Sequence, residues 1–419
     1  MLVAGKSYLR ARPKFSLKQR VWVQVSAPCG SAQPNKIQLE SSLIFVATTP
    51  FAVNAFLRTH LLALAEIHDV TLCVNTTAYP LVDEVARAVR VRHIDIERKI
   101  APWQDLRVLF QLLRCFREIR PSSVHSLTPK AGLLAMLAGW LARVPWRFHT
   151  FTGQVWATRT GAARALLKGI DRLIALCASQ VFADSSSQCR FLEDEGVVRL
   201  GGVTVLGQGS VAGVDLARFR PDPATRAVLR AETGVADAVP VFLFVGRLVR
   251  DKGVFDLVEA FAALSARHGQ WELWMVGPDE DGLQARLQAE GERLGARIRW
   301  FGPTPGPERY MAAADVFVLP SYREGFGSVV IEAAACGIPT IAYRIDGLVD
   351  AIVEDRTGHF VAKRDIGELA KAMERLGSVP EMVGELGEAA RQRAIDDFSS
   401  LTVSAAWLAF YGSVLKESA

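Results

Sequence analysis

The chain has 419 residues, half of them apolar and 22% charged, a globular composition with room for two or more domains. Its best candidate for a membrane span, Ala131–Ala142, has 12 residues, against the ~20 that a crossing helix needs. The formal charge of +5 misleads: residues 1–39 hold seven bases (Lys6, Arg10, Arg12, Lys14, Lys18, Arg20, Lys36) and no acid, and +5 less +7 leaves −2 for the rest. A nucleic-acid binder needs a basic face on its folded part, so that class is disfavoured.

Residues 1–40 read as a poorly ordered N-terminal extension, of the kind an upstream start codon adds. The apolar core "VWVQVSA" is short and its basic lead-in long for a secretory signal. A first domain is expected over 41–220. "SLIFVATTP" gives a strand over Leu43–Ala47, followed by a helical pattern at Phe56–Ile67 and a strand at Val70–Asn75. The rhythm continues through "SVHSL", a helix across Gly132–Ala142, "RFHTFTG", a long helix near Ala162–Leu176, "QVFADS" and "GVTVLGQG". The proline-bearing "RFRPDPATR" (Arg218–Arg226) reads as a linker.

A second domain is expected over 221–394. It opens with "VPVFLFVGRL" and a helix at Val254–Arg267, then "WELWMVG" and a helix at Gly282–Leu294. "IRWFG", a short helix at Pro307–Ala313, "VFVLPS", "PTIAY" and "GHFVA" follow. A last helix, about 395–419, is expected to pack back on the first domain. Continuous apolar strands alternating with helices mean parallel sheets covered on both faces. The fold class is therefore α/β, with two doubly wound, Rossmann-like halves facing across a cleft, and ligands beyond the carboxyl ends of the strands.

Two nucleotide motifs fail. "GQGSVAG" offers Gly207, Gly209 and Gly213 after a strand, but the last glycine is one place late for G-x-G-x-x-G. Pro221 and Pro223 also bar the helix that should follow. No G-x-x-x-x-G-K-[ST] is present. The six cysteines (29, 73, 115, 177, 189, 336) form no C-x-x-C, which fits neither a zinc site nor a disulfide framework and suits a reducing compartment.

The chemistry concentrates in the second half. "VGRLVRDKG" ends a strand and enters a helix, placing Arg247 and Lys252 in the turn. Two cations there suit a diphosphate, Arg as a fork and Lys as a point charge, although a solvated basic turn has the same pattern. "EGFGSVVIEAAACG" also follows a strand. Gly325 and Gly327 permit close approach, and a helix opens at about Ser328 and Val329 with free N–H groups for an anion. Glu324 precedes that helix and Glu332 lies about one turn inside it. Carboxylates beside a phosphate site need neutral donors, and sugar hydroxyls are such donors. Glu332 alone could equally be a first-turn acid complementing the helix dipole.

"VGRLVRDKG" followed by "EGFGSVVIEAAACGIPTIA" closely resembles the retaining glycosyltransferases of family 4, which have the GT-B fold, over roughly residues 43–415. The resemblance implies that Arg247 and Lys252 hold the donor diphosphate, Glu324 meets the donor sugar and Glu332 the ribose. It implies that backbone groups of Gly325, Phe326 and Gly327 line sugar and phosphates, and that Gly302 and Thr304 of "WFGPTP" sit by the base. It further implies a nucleotide-sugar donor, UDP-linked, no cofactor and no catalytic metal, with front-face attack in which the leaving phosphate takes the acceptor's proton. The first half resembles a subgroup extending surface polysaccharides on a polyprenyl (undecaprenyl) diphosphate carrier, through "TTPFAVNAFLRTHLLAL", "VHSLTPKAGLLAMLAGWLARVP" and "RFHTFTGQVWATRTG". The usual glycine pair is replaced by Pro50-Phe51 with Asn54, and Leu127 stands where many relatives have a second histidine. If that histidine is catalytic in relatives, its role here is vacant or falls to His125 or His149, late in their strands, although either one taken singly also reads as a satisfied structural histidine. Pro50, Phe51, Asn54, Lys130, Thr152 and Gly153 are expected on the acceptor side.

Arg87–Arg120 carries nine bases against four acids, interleaved with Trp103, Leu106, Phe110 and Phe116. A basic amphipathic helix of this kind can lie on an anionic bilayer. The expected protein is a cytoplasmic glycosyltransferase, peripheral on the inner face of the cytoplasmic membrane, acting on a lipid-linked glycan. A sugar-nucleotide epimerase and a non-catalytic sugar-nucleotide-binding subunit are the rivals.

Overall fold

The computed structural model describes residues 41–77, 79–97 and 101–416. The expected N-terminal extension, Arg98 and Lys99 of the basic stretch, and residues 417–419 lie outside the described residues.

Among the described residues, thirteen strands form two sheets. The first holds β1 (Ser42–Ala47), β2 (Asp69–Val74), β3 (Arg90–His93), β4 (Ser123–Leu127), β5 (Trp146–Phe151), β6 (Gln180–Ala183) and β7 (Val203–Thr204), in the order β3-β2-β1-β4-β5-β6-β7. The second holds β8 (Val241–Val245), β9 (Glu272–Val276), β10 (Ile298–Gly302), β11 (Val316–Leu319), β12 (Thr340–Tyr343) and β13 (Gly358–Val361), in the order β10-β9-β8-β11-β12-β13. All strand pairs are parallel. The two doubly wound α/β halves expected from the strand rhythm are observed, in the GT-B arrangement that the resemblance implied. Each sheet starts at its centre, runs out to one edge, then returns beside its first strand. That reversal opens a crevice between β1 and β4, and another between β8 and β11.

Burial explains the apolar runs. In β1, Ile44 and Val46 face one core with Val108, Leu112 and Phe116 of the helix Pro102–Ile119. Leu43 and Phe45 face the other, with Leu61 and Leu64 of the helix Arg58–Ala65. Trp407 and Tyr411 of the last helix, Ser400–Lys416, belong to that second core, so the C-terminus is tied into the first sheet's packing. The preceding helix, Pro380–Phe398, runs past the expected boundary at 394 and ends at Ser399. At the other boundary, Arg226 and Arg230 of the helix Pro223–Thr233 both donate to Asp315, which fixes this helix to the second sheet.

Several elements depart from the sequence reading, among them the helix Pro223–Thr233, which starts inside the stretch read as a linker. The helical pattern expected from Phe56 begins earlier, at Pro50, capped by Thr49 Oγ1 accepting from Ala52 N–H, and breaks at Leu57. Proline suits the first helical position because its missing N–H has no partner to lose there. The edge strand β3, Arg-Val-Arg-His, and the helix Ser186–Asp194 carry too little apolar patterning to be read. No helix among the described residues is long and apolar enough to cross a membrane.

Candidate functional site

The second sheet's crevice gathers the charged residues. The 3-10 turn Arg250–Lys252 after β8 closes on Gly253 at φ 66°. A side chain at Gly253 would overlap the carbonyl of Pro320 after β11, so glycine lets the two loops touch. Across that contact Lys252 Nζ donates to Glu324 Oε1 at 2.5 Å, with both side chains largely buried. Arg247 instead pairs with Glu280 at 2.8 Å on the open rim. The two cations expected to share a diphosphate therefore each hold a carboxylate in this state.

Beyond Glu324 the loop turns through Gly325 and Gly327 into the helix Ser328–Ala335, whose start has no side-chain cap. The first N–H groups, at Ser328 and Val329, are the unsatisfied donors that such a start presents to an anion. The Phe326 ring turns inward against Phe398, with centroids 5.1 Å apart, leaving only its backbone toward the crevice. Gly302 ends β10 at φ 65°, and Thr304 Oγ1 accepts from Gly306 N–H at 3.1 Å.

Glu332 lies one turn inside this helix, in the field of Arg218 and Glu308. Burial pushes its carboxyl up from 4.5 to about 7. Because the folded value exceeds the unfolded one, the native state holds an extra proton between about pH 4.5 and 7, and stability falls as pH rises through that window. Glu332→Gln removes the titration. Its melting temperature relative to wild type is expected to rise between pH 5 and pH 8, by the equivalent of about 2–3 kcal/mol, in calorimetric scans. A pH-independent difference would contradict this.

A set of residues the sequence reading missed holds the Glu324–Gly327 loop. Ser185 Oγ donates to Gly325 O at 2.9 Å and Gln188 Nε2 to Glu324 O at 3.1 Å. Ser187 N–H donates to Asp350 Oδ2 at 2.9 Å, and Gly347 N–H donates to Ser187 Oγ at 2.6 Å. These residues surround the start of the helix Ser186–Asp194, capped by Ser185. The run "DSSSQ" after a strand was the available signal, a cap sequence ahead of a helix. Asp184 lies against Gly325, and burial, with Glu324 and Asp350 nearby, raises its pKa well above the ordinary range. Thr152 and Gly153, expected on the acceptor side, pack directly on Gly325.

The other first-half residues fall differently. His125 does not face the cleft: it is 2% exposed, with Nδ1 bonded to Tyr411 Oη and Nε2 to Thr150 Oγ1, both at 2.8 Å. Its ring stacks on Trp407 at 4.8 Å, and burial lowers its pKa well below the ordinary value. His149 is likewise buried, with Nδ1 at 2.8 Å from Ser126 Oγ and its pKa lowered to about 3 by desolvation. Both rings are packed and hydrogen-bonded inside the first half, so the expected placement at the crevice is corrected. They lie on strands covered on both faces, so their lateness in the strand does not bring them to the crevice. Asn54 is also structural, donating to Pro80 O at 3.1 Å and accepting from Val82 N–H at 3.2 Å. Lys130 pairs with Asp105 at 2.6 Å. Pro50 is buried at a helix start, and Phe51 is 63% exposed beside Tyr79.

Comparison with known proteins matches this arrangement. The family described as "Glycosyl transferases group 1" matches residues 225–393, and the "Glycosyl transferase 4-like domain" matches residues 54–209. The chain is 28% identical over 334 residues to the capsular polysaccharide biosynthesis glycosyltransferase CapM of Staphylococcus aureus, covering 78% of this chain and 85% of the relative. It is 30% identical over 347 residues to D-inositol 3-phosphate glycosyltransferase 2 of Catenulispora acidiphila, covering 76% and 79%. Among solved structures, sucrose-phosphate synthase of Thermosynechococcus elongatus superposes with a TM-score of 0.74 at 22% identity, covering 90% of this chain and 100% of that one. Anabaena HepE in complex with UDP and glucose gives 0.75 at 19% identity, covering 89% and 100%. With both halves matched in order, the chain belongs to the group 1, family 4-like glycosyltransferases of the GT-B fold.

Proposed function

We propose that this glycosyltransferase takes a sugar from a UDP-linked donor, with retention, and adds it to a lipid-linked (undecaprenyl-diphosphate) glycan during surface polysaccharide assembly. The observation that carries the donor reading is the Lys252–Glu324 contact at the second sheet's crevice, beside an uncapped helix start. A sugar diphosphate arriving there takes over Lys252 and Arg247 through its phosphates. Glu324 is then released to accept from a sugar hydroxyl. As the bond to the anomeric carbon breaks, charge grows on the leaving diphosphate, and the two cations and the helix N–H groups stabilise it. Those groups supply the positive charge that a metal would otherwise bring. Attack from the leaving group's own face, with the phosphate oxygen taking the acceptor's proton, needs no side-chain base. The burial of Asp184, His125 and His149 agrees with that route.

The acceptor and the membrane enter through the first half. The helix Pro102–Ile119 leaves Trp103 86%, Leu106 44% and Phe110 60% exposed, with Arg107, Arg114 and Arg117 also exposed. Its neighbours expose Trp140 and Leu141, and Leu166, Leu173 and Leu176. An apolar band with flanking bases suits the headgroup boundary of an anionic bilayer, here the inner face of the cytoplasmic membrane. Trp103→Ser with Phe110→Ser is expected to lower co-sedimentation with anionic vesicles at least tenfold and leave the melting temperature unchanged. Equal sedimentation of variant and wild type would remove the membrane from this reading.

A screen of labelled nucleotide sugars with membranes bearing lipid-linked acceptors tests the function directly. Label entering the lipid fraction from a UDP-sugar supports it. Epimerisation of the donor without an acceptor favours the epimerase, and donor binding with no transfer favours the non-catalytic subunit.

A further inference from the structure

A cavity of about 490 Å³ opens beside the Lys252–Glu324 pair, and its chemistry differs from that of the donor site. It is lined by Arg250, Phe255, Tyr322, Lys363 and Arg364 of the second half, with Thr158 of the first half at its edge. Arg250 stands two residues before Lys252 and Tyr322 two before Glu324. The two loops are tied together by Tyr322 N–H donating to Asp251 O at 2.8 Å and by the Arg323–Asp251 ion pair at 3.6 Å. The cavity therefore borders the two loops that carry Lys252 and Glu324.

Its acids are held by direct partners, while its bases make no close ion pair among the described residues. Asp256 accepts from Tyr322 Oη at 2.8 Å and from Tyr343 Oη at 2.7 Å. Asp251 is held by Arg323 and by Thr158 Oγ1, which donates at 3.4 Å. Among the described residues no ion pair takes Arg250, Lys363 or Arg364. They rest instead on aromatic faces: Arg364 lies 5.0 Å and Lys363 5.7 Å from the Tyr322 ring centre, and Arg250 lies 5.3 Å from that of Phe255. Such contacts position a cation without cancelling its charge. Arg364 adopts φ 69°, a left-handed backbone that an arginine takes only at a cost of about 1 kcal/mol. The Lys363 ammonium is pushed down by desolvation and by Arg364, against the opposing pull of Asp251 and Asp346.

We propose that this cavity binds the anionic part of the acceptor, an oxyanion carried either by an acidic sugar of the glycan or by the diphosphate of its carrier. Its volume is that of a small-molecule site, larger than a lone phosphate requires. The inference rests on the transferase reading, and it adds a requirement that the donor site does not impose.

Titration of the full chain, followed by ligand-observed NMR, with methyl glucuronide, inorganic pyrophosphate and methyl glucoside tests it. An anionic probe is expected to bind and the neutral glucoside is not. Lys363→Ala with Arg364→Ala is expected to weaken the anionic probe at least tenfold. Preference for the glucuronide assigns the cavity to an acidic glycan, and preference for pyrophosphate assigns it to the carrier. Pyrophosphate binding that survives the double substitution belongs to Arg247 and Lys252. If neither anionic probe is weakened by that substitution, the proposal is overturned. UDP-sugar binding on the same samples reports on the transferase reading separately: a chain that binds the anionic probe but no donor keeps the cavity and loses that reading.

Discussion

Glu324→Ala is expected to lower kcat/KM for transfer at least ~1,000-fold, about 4 kcal/mol of transition-state stabilisation, while the folded structure persists. The two consequences come from different atoms of the same residue. Its carboxylate contacts Lys252, and in the proposed complex it reads the sugar. Its main-chain carbonyl is what Gln188 holds, and the next carbonyl, of Gly325, is what Ser185 holds. Truncating the side chain leaves both main-chain bonds in place, so the loop keeps its course. The cost to stability is that of a Lys252 ammonium without its carboxylate in a mostly buried setting, a shift of a few degrees in melting temperature. Glu324→Gln separates the roles further. It removes the charge competing with phosphate for Lys252, so donor affinity is expected to hold or rise while kcat falls. Calorimetric donor titration beside steady-state kinetics checks both, and full activity in Glu324→Ala would reject the donor-site assignment.

The fold was legible where burial is two-sided. Strands such as β1 and β8 are apolar at nearly every position because helices cover both faces, and the run itself announces a parallel sheet. The same two-sided burial made the histidines illegible. In a strand with one wet face, alternation says which side chain meets solvent. In β4 and β5 both directions lead into packing, and only the partners, Tyr411 and Trp407 from the far end of the chain, show that His125 is structural. The second-half loops could be read because charge and glycine sit in them for reasons local to the loop. The residues that hold Glu324 and Gly325 could not. Ser185 and Gln188 are small or neutral, lie well over a hundred residues away, and act through backbone carbonyls that carry no sequence signature. β3 escaped for a related reason: an edge strand pairs through its backbone while its Arg90, Arg92 and His93 side chains stay in water.

Gly325→Ala tests that hidden contact and is expected to reduce kcat about 100-fold, with donor affinity changed less than threefold. The reduction follows from what surrounds the position. A Cβ on Gly325 would overlap Asp184 Oδ2 and lie 2.6 Å from the carbonyl carbon of Thr152 and 2.7 Å from its oxygen. A flexible side chain could swing aside, but Thr152 presents backbone at the end of β5, and the neighbouring Gly153 is itself against Gly325. The loop must therefore retreat from the first half by a distance on the order of 1 Å, a misplacement that can cost 100-fold in rate. Arg247, Lys252 and the helix start lie on the second half and move with the loop or not at all, which is why nucleotide binding is spared. Adding Asp184→Ala clears one obstacle and leaves the Thr152 backbone, so the double variant is expected to recover little. Gly384→Ala is the matched control: it sits in the helix Pro380–Phe398 with nothing within 4 Å of an added Cβ. Helical alanine in place of glycine is expected to stabilise the fold by up to about 1 kcal/mol and leave kcat unchanged. Wild-type turnover in Gly325→Ala would mean that transfer does not require the two halves to meet at this glycine.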